Sequence, residues 1–219
     1  MTNLEYVENL VSVNDKIYID TSSLMNVEGL EEFVENYNDI FMDYQKGIIV
    51  TREVCLEIVK HLSSTNIDKQ RKAKNVVKIF KYHSNLFIFE DENLNGLEAG
   101  KAFADSELLS RMTKEKTEFR QLLITNDKKL SLDAYNLNSL NSCKGQQIMV
   151  CYINGNGKLN KAVSAVIQNI EDTNVESIVT DSTVETLNTE NSSFLKDCII
   201  GIGSLIVGYG VGKLLNFNK

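Results

Sequence analysis

A chain of 219 residues with 42% hydrophobic and 24% charged residues lies near the globular average, so a folded core is expected and a largely disordered chain is excluded. The net charge of −7 excludes a protein that coats nucleic acid through bulk charge. It leaves room for an enzyme whose acidic ligands are offset by bound cations. The cysteines Cys55, Cys143, Cys151 and Cys198 are dispersed, with no CxxC pair and no Cys/His cluster, which argues against zinc and fits a reducing compartment. Met1 to Asp15 is polar and acidic and carries no signal-peptide pattern, so a cytoplasmic location is expected.

Taken in order, Lys16-Ile-Tyr-Ile-Asp20 reads as a short buried strand ending in an acid, after which Thr21 or Ser22 is positioned to cap a helix. Leu30, Phe33, Val34, Tyr37, Ile40 and Phe41 recur at helical spacing between Gly29 and Tyr44. Gly47 breaks that pattern, and Ile48 to Thr51 is a second strand. Helical spacing resumes from Glu53 to Leu62, and Asp68 to Lys81 reads as a basic amphipathic helix. A third strand is expected at Leu86–Phe89, a helix at Ala99–Lys114 and a fourth strand at Leu122–Thr125. A helix follows Asn126-Asp127 as far as about Tyr135, and Gln147–Ile153 supplies a fifth strand. Strands alternating with helices in this rhythm predict a parallel α/β sheet with right-handed crossovers.

Two strand ends terminate in aspartate, at Asp20 and Asp127. In open α/β sheets ligands bind outside the carboxyl ends of the strands, which puts both aspartates on one rim. Glu57, in REVCLEIVKHL, and Asp105, in KAFADSELLSRM, lie on helices that can face that rim. Each acid also has an ordinary reading: an aspartate after a strand is commonly a helix cap, and helical acids are commonly solvated. Together they make a hard-oxygen set suited to Mg²⁺ or Mn²⁺, which can orient a water, lower its pKa and stabilise charge on a phosphate.

The pieces IDTSSLMN, IIVTREVCLEIVKHL, FADSELLS and LLITNDKKL, in this order, resemble the PIN-domain nucleases over roughly Lys16 to Ile153. The resemblance implies a three-layer α/β/α fold with a parallel central sheet of about five strands. It implies a ribonuclease with catalytic Asp20, Glu57, Asp105 and Asp127, metal held by Asp20, Asp105 and Asp127, and Ser22, Thr125 and Asn126 in support. For the second acid, Glu57, with Val54 three residues before it and Ile58 after it, fits the family's spacing better than Glu53, one turn earlier. The family also includes toxin components of bacterial toxin–antitoxin pairs, which implies an inhibitory protein partner. The alternative is a catalytically silent PIN-like module that binds RNA or acts as a scaffold. A phosphatase with Asp20 as nucleophile would want a second Asp two residues later, where Ser22 stands.

Lys69, Arg71, Lys72, Lys74, Lys78 and Lys81 share one helix, and Arg71, Lys72 and Lys74 are the candidate RNA contacts. His61 and His83 read as surface or packing residues, and Gly155 and Gly157 as a turn. The domain is expected to span 1–155, followed by a polar linker, 156–193, and a glycine-rich hydrophobic helical tail, 194–219. Cys198 to Gly212 carries no charge, and Ser204, Gly208 and Gly212 recur every four residues. That pattern suits close helix packing, so membrane association or self-association through 198–217 is expected of the tail.

Overall fold

The computed structural model describes residues 1–90 and 104–162. Their order is α1 (Asn3–Val13), β1 (Lys16–Ile19), α2 (Thr21–Leu24), α3 (Val27–Asp43), β2 (Ile48–Val50), α4 (Arg52–Leu62), α5 (Ile67–Tyr82), β3 (Phe87–Phe89), α6 (Ala104–Glu115), β4 (Gln121–Ile124), α7 (Lys128–Asn136), β5 (Ile148–Ile153) and β6 (Leu159–Lys161). The strands form one sheet in the order β3-β2-β1-β4-β5-β6. The first five are parallel and β6 runs antiparallel to β5. β1 and β4 lie side by side at the centre, with Ile19 opposite Ile124, so Asp20 and Thr125 leave the sheet next to one another.

Side-chain alternation divides the core into two layers. Ile17, Ile19, Ile48, Val50, Leu122, Ile124, Cys151 and Ile153 pack on one face with apolar residues of α1, α3, α4 and α5. Tyr18, Ile49, Leu123 and Val150 pack on the other with Leu108 and Met112 of α6 and Leu130 and Ala134 of α7. Strands covered on both faces read as continuous apolar runs, which is why IYI, IIV and LLI are legible as strands.

The expectation of about five strands is corrected to six. β6 is short, buries only Leu159, and follows a turn in which Gly157, at φ 68°, closes a hairpin on β5. A Cβ at Gly157 would come within 2.5 Å of Glu32 Cβ, so the turn packs directly on α3. The Asn154 side chain accepts from the backbone N–H of Asn156 and Lys158 at 3.0 and 2.9 Å and shapes the same turn. Of the stretch expected as linker, 156–158 therefore form the turn and 159–161 belong to the sheet, with Ala162 buried beside it. Residues 163–193, the tail at 194–219 and residues 99–103 of the expected helix lie outside the described residues. Among the described residues no helix is long and apolar enough to cross a membrane.

Helix α1 was not expected. Thr2 and Glu5 form a reciprocal capping box, and Val7, Leu10 and Val11 are buried. Its C-terminal turn has no basic residue of its own. Lys46, from the loop before β2, donates instead to the carbonyls of Val11, Ser12 and Asn14 at 2.7, 3.0 and 2.6 Å.

Candidate functional site

The centre of the site is the turn between β1 and α2. Asp20, rather than Thr21 or Ser22, caps α2: its carboxylate accepts from Ser23 N–H at 3.0 Å. Asp20 stays extended after β1, so its side chain can reach back to the first free N–H groups of the helix, which Thr21, already helical, cannot. The Ser22 hydroxyl donates to both Asp20 oxygens at 3.0 and 2.9 Å, and Thr125 Oγ1 donates to Oδ2 at 2.8 Å. Asp20 is only 3% exposed, and burial pushes its carboxyl up from 3.8 to about 6, against the hydrogen bonds from Ser23, Thr125 and Ser22. The charge of Asp105 adds to the rise.

Asp127 caps α7 in the same manner, accepting from Lys129 and Leu130 N–H at 2.7 and 2.9 Å. Between the two turns Asn126 acts as a clasp. Its backbone N–H donates to Ser22 Oγ at 2.9 Å, its Oδ1 accepts from Ser23 Oγ at 2.8 Å, and its Nδ2 donates to the Ile153 carbonyl at 2.7 Å. The ends of β1, β4 and β5 are thereby held in one register.

Glu57 and Asp105 reach this rim from α4 and α6. Asp20, Glu57, Asp105 and Asp127 line one open cleft of about 340 Å³, together with Thr21, Ser22, Met25, His61, Lys69 and Lys72. Glu53 is not among the lining residues, which separates it from Glu57. Thr21 Oγ1 donates to a Glu57 carboxylate oxygen and fixes that side chain against the β1–α2 turn. Asp105 stands at the exposed mouth, and its carboxyl is raised by partial desolvation and then by the like charges of Asp127 and Glu57. Lys129 opposes that rise and Asp133 adds to it. Among the described residues none of the four acids enters an ion pair with lysine or arginine.

The three candidate RNA contacts of the basic helix are placed differently. Lys72 lines the cleft, whereas Arg71 and Lys74 do not. Arg71 is exposed and paired with Asp68 at 3.0 Å, and Lys74 donates to Gln70 at 3.2 Å. Residues two apart lie about 200° around a helix, so Lys72 and Lys74 cannot face the same wall. Lys69, Thr21, Met25 and His61 line the cleft as well, none of them a candidate site residue from the sequence. Lys69 carries a usable signal, since it stands three residues before Lys72 on the same face. His61 is half-buried in the cleft wall; desolvation lowers its pKa, with Glu57 opposing and Lys69 assisting.

As the side chains are placed, no three carboxylate, imidazole or thiolate groups among the described residues stand within joint reach of one ion. The donor set nevertheless suits a hard divalent cation in type: four carboxylates on one cleft, without an ion pair among the described residues, the Asp105 carboxyl raised in part by the charges of Asp127 and Glu57 and that of Asp20 in part by Asp105. Like charges hold such groups apart until a cation offsets them. Comparison with protein-family models, with curated proteins and with solved structures returned no match.

Proposed function

We propose that the cleft is the centre of a Mg²⁺- or Mn²⁺-dependent phosphodiester hydrolase acting on RNA. The observation that carries this reading is the convergence of four carboxylates without ion-pair partners on one cleft, at the carboxyl ends of β1 and β4. In this reading Asp20, Asp105 and Asp127 hold the ion, and Glu57 contributes directly or through a water. A bound ion would lower the pKa of its water and stabilise charge building on a scissile phosphate. The protein's own part is preorganisation. Ser22 and Thr125 aim the Asp20 carboxylate, Asn126 fixes Ser22, and Thr21 fixes Glu57. The resemblance to PIN-domain nucleases points to the same chemistry.

The test is incubation of the full chain with labelled RNA and DNA in manganese, magnesium or EDTA. RNA cleavage that requires the cation and stops in EDTA is expected. Cleavage undiminished in excess EDTA would overturn the metal mechanism. RNA binding with no cleavage in either metal would replace it with a catalytically silent RNA-binding module.

A further inference from the structure

Helix α5 begins at Ile67 under an Asn66 cap, whose side chain accepts from Asp68 and Lys69 N–H at 3.0 and 3.1 Å. Its buried face, formed by Ala73, Val76, Val77, Ile79 and Phe80, packs into the core and fixes the rotation of the helix. With that rotation set, the cations of the helix sort into different surroundings. Arg71 turns back onto Asp68 and Lys74 onto Gln70. Lys69 and Lys72 instead line the acid cleft, and among the described residues neither enters an ion pair. Both are exposed, so their ammonium groups remain hydrated and available to a polyanion.

Two ammonium groups and four carboxylates on one cleft make a wall of each sign. A phosphodiester strand could not rest against the acids alone, because like charges would expel it. It can rest there where Lys69 and Lys72, lining the same cleft, supply the missing attraction. Residues three apart on a helix have Cβ atoms roughly 5–6 Å apart, close enough to serve one phosphate each along a strand. Lysine suits this role because a phosphate oxygen needs only a point charge with rotatable donors. Met25 adds an apolar element to the same lining.

We infer that Lys69 and Lys72 form the phosphate-holding wall of the cleft, positioning a single RNA strand so that one backbone phosphate meets the acids. The location of the scissile phosphate rests on the hydrolase reading; the lysine wall itself does not. Both are positioning residues that act through the strand's backbone and carry no base preference.

The test measures binding of a fluorescent oligouridylate to the full chain in EDTA, where no cleavage occurs, across a range of salt concentrations. For single strands the log–log salt slope is about 0.7 per phosphate contact, so Lys69→Ala/Lys72→Ala should flatten it by about 1.4 and each single change by about 0.7. Lys69→Arg/Lys72→Arg should restore the slope, and Arg71→Ala should leave it nearly unchanged. Unaltered thermal melting of the alanine variants shows that the fold is intact. If the double alanine variant keeps wild-type affinity and slope while wild type cleaves RNA in manganese, the wall is overturned and the hydrolase stands. If slope and affinity fall as stated but wild type never cleaves, the wall stands and the hydrolase falls.

Discussion

Glu90 with Glu115, and the acids of the cleft, are two groups of carboxylates that the fold treats in opposite ways. Glu90 and Glu115 are built into a network. Glu115 accepts from Tyr18 and pairs with Lys16 at 2.9 Å and with Arg111 at 3.2 Å, while Arg111 also pairs with Glu90. Burial alone would push the Glu115 carboxyl up, but hydrogen bonds from Tyr18 and Lys16, with the charges of Lys16 and Arg111, hold it below its ordinary value. Among the described residues the acids of the cleft have no such partners. Burial raises Asp20 to about 6, and Asp105 is raised by desolvation and by its acidic neighbours. A carboxylate that ties a helix to a sheet has its cation within the fold, whereas those of the cleft leave compensation to something bound.

The largest effect expected from breaking this contrast is on activity. Asp20→Asn should lower metal-dependent RNA cleavage by roughly 10²–10³-fold, the usual cost of removing one preorganised electrostatic group. Initial rates in saturating manganese measure it. Retention of full activity would show that Asp20 acts only as a cap.

Next comes the compensated group. Arg111→Leu leaves Glu90 and Glu115 short of a cation and should destabilise the protein by about 1–2 kcal/mol, between the values for surface and buried pairs. Chemical denaturation at neutral pH measures this, and its pH dependence sharpens the comparison. The lowered Glu115 carboxyl contributes stability that is present at neutral pH and is lost as pH falls through the carboxylate range, so the deficit should shrink in acid.

A third effect, of similar size, has the opposite sign. A raised carboxyl contributes stability that is fully present below its unfolded value and is lost as pH rises through its folded value. For Asp20 that loss runs from 3.8 to about 6. Without metal, Asp20→Asn should therefore stabilise the protein above pH 6 by on the order of 1–2 kcal/mol, and the gain should vanish below pH 4. Asparagine caps a helix about as well as aspartate, so the cap itself is retained. Melting in EDTA across this range measures the effect. A lower melting temperature at pH 8 would show that the three donors facing Asp20 outweigh the cost of burying its charge.

Much of this organisation is legible in the sequence because it rests on local pattern. Apolar runs such as IYI and LLI mark strands buried on both faces, and an acid directly after such a run falls at a strand end whatever the rest of the chain does. Asp20 therefore stands directly after β1, Asp127 follows three residues after Ile124 as the cap of α7, and the helical spacing around Leu30 to Phe41 survives with boundaries moved by two residues or fewer. Helix α1 had a readable capping box, but its polar surface concealed a face of only three buried residues.

What tertiary structure alone decided is set by the rotation of each helix and by contacts across long separations in sequence. The strand LNK at 159–161 has no period of its own and becomes β6 because β5 presents an unpaired edge. Lys69 and Lys72 line the cleft rather than Arg71 and Lys74, because the buried face of α5 fixes which residues turn toward the rim. Composition counts those cations as equals, and packing assigns them different partners. The pairing of Glu90 and Glu115 with Arg111 and Lys16, against the absence of such pairs around Asp20, arises in the same way. Charge is a property of the residue, whereas its compensation depends on which elements the fold brings within a few ångströms.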